Sequence, residues 1–193
     1  MTNTIIRPAT EHDAELLARF IRDLAVYENR SAWPRAFFAD KVMAYDSPPQ
    51  FIAALAKSKD HPFAAIEEVD RTALAPALFV SSPEGVHAVT ARDYHFTSNT
   101  TTFTIDAPDA GVAVLTEAFL PDDFIVRING AATGYFRVNH AFRGVLIPRA
   151  GTYTISYCYW PRHFTLSLVL AGVGLAFFTT CAVTLLWRDK RGY

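Results

Sequence analysis

The chain has 193 residues, with 18 Lys plus Arg against 19 Asp plus Glu and a formal net charge of −1 at pH 7. That length holds one fair-sized domain or two small ones, and the balanced charge lacks the basic footprint of a nucleic-acid binder, so no nucleic-acid partner is expected. The six histidines are scattered without a helical pair or a Cys at ligand spacing, which argues against a metal centre, and Cys158 and Cys181 are poorly placed to bridge.

Residues 4–8 read as a short strand, and Thr10 opens a helix with Asp13 three residues on, close to a capping box. Leu16, Leu17, Phe20, Ile21 and Leu24 form its apolar stripe, and it ends near Glu28. Aromatic and β-branched content makes residues 36–45 a strand. Ser47 followed by Pro48 and Pro49 starts a second helix over residues 50–57, and a further strand covers 63–67. Residues 30–70 thus predict a small βαβ unit, with 71–85, which contains Pro76 and Pro83, as its exit linker.

From Val86 the hydrophobic period becomes two, and turn signals recur at the spacing of an antiparallel sandwich. The predicted strands are 89–96, 101–106, 111–118, 124–128, 135–138, 142–148 and 152–159, with Asn129-Gly130 as a hairpin turn. The last strand runs into Trp160-Pro161 and then into residues 164–187, which contain no charged side chain. About 24 residues at a rise of about 1.5 Å give about 36 Å, enough for one transmembrane helix. Ser167 and Ala171, and Gly172, Ala176 and Thr180, put small residues at four-residue spacing, which suits packing against neighbouring helices.

Arg188, Lys190 and Arg191 outweigh Arg162 on the other flank, so the C-terminus is expected in the cytoplasm and the preceding domain outside. Trp160, Arg162, Trp187 and Arg188 are the expected membrane-interface anchors. The first eight residues show no basic region followed by an apolar one. Two explanations stay open: a tail-anchored protein that defies the charge rule, or the last piece of a longer polytopic protein whose earlier helices supply the route outside. The fold class read from the sequence is α+β: a strand–helix segment (1–29), a small α/β unit with its linker (30–85), a β-sandwich ectodomain (86–160), a transmembrane helix (164–187) and a basic tail (188–193).

No catalytic residue is expected. The adjacent carboxylates Glu67-Glu68 and Asp122-Asp123 read as strand neighbours pointing to opposite faces, and Ser31, Ser47 and Ser58 have no identifiable His and Asp partners. Arg143, beside Gly144 and near Asn139 and Tyr135, has two readings: contact with a lipid phosphate or a sugar, or an ion pair with Glu117 across the sheet.

The run Glu117-Ala-Phe-Leu-Pro121, Arg127-Ile-Asn-Gly130, Tyr135-Phe-Arg-Val-Asn-His-Ala-Phe-Arg-Gly-Val145 and Pro148-Arg-Ala-Gly-Thr-Tyr-Thr-Ile155 resembles the C-terminal ectodomain of YfhO-like bacterial membrane proteins. Trp33-Pro34-Arg35-Ala36-Phe37 resembles the Leu-Pro-Arg-Ala opening strand of the same family, so the likeness runs from about residue 30 to the end. Pro121-Asp122-Asp123-Phe124 stands where the family has a Pro-Gly-Trp turn. The resemblance implies a C-terminal piece of a polytopic bacterial protein linked to lipid-linked sugar transfer and cell-envelope glycosylation. Its parent would be a membrane glycosyltransferase whose catalytic acids lie elsewhere. The chain itself is then non-catalytic and needs no cofactor; its partners are the lipid bilayer, neighbouring transmembrane helices, and a glycan or lipid-linked sugar contacted by Arg143, Asn139 and Tyr135. A stand-alone membrane-anchored binding module is the alternative.

Residues 5–28 are separately similar to the opening strand and helix of GCN5-related N-acetyltransferases. Those enzymes hold acetyl-CoA on a glycine-containing loop at a helix N-terminus. Arg127-Ile-Asn-Gly130-Ala-Ala132 carries the loop's letters, but the residues after it have a strand pattern, so the stretch reads as a hairpin turn and acetyl transfer is disfavoured.

Overall fold

The computed structural model describes residues 32–190. The strand expected over 4–8, the helix over 10–28 and the tail from Arg191 onward lie outside the described residues. In chain order the elements are β1 (Ala36–Ala39), β2 (Val42–Tyr45), α1 (Pro48–Ser58), β3 (Ala64–Glu67), β4 (Phe79–Val80), β5 (Ala88–Thr90), β6 (Arg92–Phe96) and β7 (Thr100–Ala107). There follow β8 (Gly111–Ala118), β9 (Phe124–Ile128), β10 (Ala131–Thr133), β11 (Phe136–Val138), β12 (Phe142–Ile147), β13 (Gly151–Tyr159) and α2 (Phe164–Lys190). The result is a mixed α+β architecture with two antiparallel five-stranded sheets, a small parallel sheet and one long C-terminal apolar helix.

One antiparallel sheet has the order β11-β12-β8-β1-β5 and the other β10-β9-β13-β7-β6. Their facing side chains form one buried cluster: Phe38, Ala113, Leu115, Val145 and Ile147 from the first meet Phe103, Ile105, Val126, Ile155 and Tyr157 from the second. Alternation along β7 and β13 follows from that single buried face. Strands β1 and β8 differ, reading Ala-Phe-Phe-Ala and Gly-Val-Ala-Val-Leu with no polar break, because both of their faces are covered. On the far face Phe37, Ala39, Val112 and Val114 pack on Val42, Ala64, Ile66, Leu74 and Leu78.

The parallel sheet has the order β3-β2-β4. Helix α1 lies between β2 and β3 in sequence and packs Phe51 and Ala54 on Met43, Tyr45, Phe63 and Ala65. Pro48 and Pro49 occupy its first positions, where no amide donor is needed, and Lys59 ends it in the left-handed conformation.

The strand expected over 36–45 is two strands in two sheets. The break falls at Asp40 and Lys41, where Asp40 exchanges bonds with His87 through its backbone N–H and its carboxylate. Residues 89–96 divide in the same way: β5 pairs with β1, while β6 pairs with β7 across an irregular register at Asp93, whose φ is +53°. Residues 71–85, expected as a linker, contain β4 and three short 3-10 turns or parts of them. Asn129 and Gly130, both at positive φ, form the two-residue turn that pairs Ile128 with Ala131. β10 follows that turn directly.

Helix α2 runs through Arg188 to Lys190, is long and apolar enough to cross a membrane, and has no buried residue in its apolar stretch. It starts close behind β13. Phe164 N–H bonds the Pro161 carbonyl at 2.8 Å, Trp160 Nε1 donates to Thr165 Oγ1 at 3.0 Å, and the Trp160 and Phe164 rings meet edge-on at 4.9 Å.

Candidate functional site

The turn from β8 to β9 sits beside the start of α2, and strand register fixes what else gathers there. Tyr159 pairs with Phe124, Phe142 with Ala118, and Ala36 with Leu115. One end of both antiparallel sheets therefore lies next to the helix. The opposite end carries the turn from Ile147 to Gly151.

Arg143 lies inside this helix-proximal end, only 3% exposed. Arg143 lies two residues before Val145 and four before Ile147 on β12, so strand alternation points its side chain, like theirs, between the two sheets. Nη2 forms an ion pair with Glu117 Oε2, and the guanidinium lies 3.9 Å from the Phe124 ring centroid and 5.0 Å from that of Tyr157. Glu117 also accepts from Tyr94 Oη at 2.8 Å and from Thr101 Oγ1 at 3.4 Å. Burial pulls the Arg143 pKa below its ordinary value and pushes those of Tyr157 and Tyr94 up, the Glu117 carboxylate adding to the rise at Tyr94. This cluster joins β12 to β8 and β13 through charge and aromatic faces. It offers neither a nucleophile nor a free general base.

The other two expected contact residues also turn their polar atoms inward. Asn139, 3% exposed and at φ +50°, accepts from Ala65 N–H at 2.6 Å and donates from Nδ2 to the Phe63 carbonyl at 2.7 Å. It ties the β11–β12 turn to β3. Half-buried Tyr135 donates to the Leu120 carbonyl at 2.5 Å and accepts from the amides of Asp123 and Phe124. It thereby holds the β8–β9 turn.

The four expected anchors sit at the two ends of α2. Arg162 pairs with Asp122 at 3.5 Å, and its amide bonds Asp123 Oδ1 at 3.1 Å. Trp160 N–H bonds the Asp123 carbonyl. Asp122 and Asp123 are therefore turn residues that brace the joint between sheet and helix, a role their reading as strand neighbours missed. Trp187 and Arg188 are exposed in the last turns of the helix.

A cleft of about 480 Å3 opens between α1 and the helix-proximal ends of β1, β8 and β12. Trp33, Phe51, Leu55 and Phe142 give it apolar walls, Arg35 and Thr116 add polar groups, and Asn139, its own polar atoms turned inward, completes the lining. Trp33 is held edge-on against Phe63 at 5.3 Å and Phe37 at 6.0 Å. Thr116 Oγ1 donates to the Arg35 carbonyl, whereas among the described residues the Arg35 guanidinium makes no hydrogen bond or ion pair, its charge reaching only the Tyr94 phenol. Trp33-Pro34-Arg35 was legible as a motif, but its place on a cleft depends on α1, which comes from a separate stretch of chain. Among the described residues no group of three or more His, Cys, Asp or Glu side chains is placed to hold a metal ion.

No protein-family model, curated protein or solved structure matches the chain.

Proposed function

We propose that this chain is a non-catalytic, membrane-anchored ectodomain: the C-terminal piece of a YfhO-like polytopic bacterial membrane protein linked to lipid-linked sugar transfer. Residues 86–160 serve in it as a β-sandwich held at the bilayer surface by α2, with the small βαβ unit docked on one face. The observation that carries this reading is the splice of β13 into α2. A strand of the shared core passes within a few residues into a helix whose apolar surface the described protein leaves uncovered. Lipid or neighbouring helices supply that cover. The charge bias of Arg188 and Lys190 over Arg162 supports an outside domain and a cytoplasmic tail.

Reporter fusions at Tyr193 test the orientation: activity of a cytoplasm-dependent reporter is expected, and a tail found outside the membrane overturns it. The DNA upstream tests the parentage. An open frame of hydrophobic segments supports a piece of a polytopic chain, and a promoter with a ribosome-binding site counts against it. The second reading, a stand-alone anchored binding module, draws on the Trp33–Arg35 cleft.

A further inference from the structure

We propose that the cleft between α1 and the helix-proximal ends of β1, β8 and β12 receives the phosphate headgroup of an anionic lipid from the bilayer that holds α2. Arg35 contacts the phosphate, and Trp33, Leu55 and Phe142 lie against the glycerol and first acyl carbons. The assignment rests on α2 being a membrane anchor, as argued above.

Position comes first. The strand registers put Arg35, Thr116 and Phe142 at the same end of the sheets as Tyr159, Trp160 and the start of α2. That end also exposes Leu120, Tyr159 and Trp160, so an apolar rim continues from the helix onto the domain. Aromatic and apolar side chains in this position meet the headgroup level of a bilayer. The cleft therefore stands where lipid headgroups are the most concentrated ligand.

Charge comes second. The other described arginines near this end are committed: Arg143 to Glu117, Arg162 to Asp122 and Arg137 to Glu67. Arg35 is exposed and makes no ion pair or side-chain hydrogen bond among the described residues, and Glu117, the carboxylate beside Thr116, is already taken by Arg143, Tyr94 and Thr101. A guanidinium fits a phosphate through two parallel N–H bonds. Here it does so without displacing an ion pair. Chemistry of the walls comes third: a neutral sugar would leave the guanidinium unused, and a free phosphate ester would leave the Trp33, Leu55 and Phe142 surface wet. An anionic lipid uses both.

The test is Trp33 fluorescence in the full chain carrying Trp160→Phe and Trp187→Phe, reconstituted in nanodiscs of phosphatidylcholine with a minority of lipid brominated near the top of the acyl chain. Quenching of Trp33 by brominated phosphatidylglycerol is expected to need about fivefold less lipid than quenching by brominated phosphatidylcholine, the preference one basic residue gives at an anionic surface. Arg35→Gln is expected to abolish that preference, and Arg35→Lys to keep most of it, which separates loss of charge from loss of fold. Equal quenching by the two lipids, or no quenching of Trp33, overturns the proposal. Binding of glycerol 3-phosphate by the detergent-solubilised chain, with no preference between lipids, assigns the cleft to a soluble phosphate ester and overturns it too. A companion chain carrying Trp33→Phe and Trp160→Phe reports insertion through Trp187. Quenched Trp187 with silent Trp33 defeats the cleft assignment alone, and silence at both defeats the anchor.

Discussion

Arg143 and Glu117 form an ion pair from neighbouring strands, with the guanidinium stacked over Phe124 and the carboxylate held from its outer side by Tyr94. The two ends are unequally exposed: the Arg143 side chain is 4% accessible and that of Glu117 19%. Removing the carboxylate strands a buried charge, while removing the arginine leaves a carboxylate that water can reach. Glu117→Ala is therefore expected to lower stability by about 3 kcal/mol, and Arg143→Met, which keeps an aliphatic chain between Phe124 and Tyr157, by less. Urea unfolding of the full chain in detergent micelles gives both values, and a larger loss for the Met variant would contradict the asymmetry.

Asn139 is the only side chain bonded to both the amide of Ala65 and the carbonyl of Phe63 among the described residues. Asn139→Ala is expected to cost about 2–4 kcal/mol, since two buried backbone groups lose their partners, and an alanine is less at ease than an asparagine at the observed φ of +50°. Hydrogen exchange at the Ala65 amide should quicken well beyond that of its neighbours. Unchanged protection there would show that the bond carries little.

The Tyr135 hydroxyl holds the turn after β8 through three backbone groups. Tyr135→Phe keeps the ring contacts with Phe119 and Phe124 and removes only those bonds. The expected loss is about 1–2 kcal/mol, with faster exchange at the Asp123 and Phe124 amides and no change in the β7–β13 ladder. Exchange that rises throughout both sheets would point to a global role instead.

Asp106 has a pH signature. The Arg92 guanidinium, 2.8 Å from Oδ2, and then the Thr152 hydroxyl hold its pKa at about 2, below the ordinary 3.8. Because the folded value is the lower one, the contribution is complete above 3.8 and disappears as the pH falls towards about 2. The carboxylate is exposed, so solvent screening keeps the effect small. Asp106→Asn is expected to flatten the acid limb of the stability curve over that window and leave the slope near neutrality unchanged. A parallel shift at all pH values would mean that the loss is one of hydrogen bonding and not of charge.

Strands with one buried face were the most legible elements. The alternation of Phe103 and Ile105, and of Ile155 and Tyr157, comes from a local chemical contrast that the sequence carries directly. Sheet membership was not legible. Asp40 breaks a strand because His87 waits for it 47 residues on, and nothing in the neighbourhood of Asp40 says so. β10 was missed for a simpler reason: Ala131–Thr133 is three small, largely exposed residues with no pattern to read. Of the two roles the sequence allows Arg143, the structure supplies the ion pair with Glu117. The cleft was hidden because Trp33, Leu55 and Phe142 meet only after three separate segments have packed. The strand break at Asp40 and the cleft share one cause: each is made by long-range contacts whose separate parts look ordinary alone.

The few residues between β13 and α2 also determine how the domain would move. A long flexible tether would let the sheets tumble above a bilayer, but Trp160 and Arg162, on either side of Pro161, are braced on Asp122 and Asp123. Strand β13 is 9 residues long. At about 3.3 Å per residue it reaches about 30 Å, so a helix tilt of about 20° would swing its far end by about 10 Å. If the helix crosses a bilayer, the joint works as a lever: a small lean of the helix becomes a sideways sweep of the whole β domain.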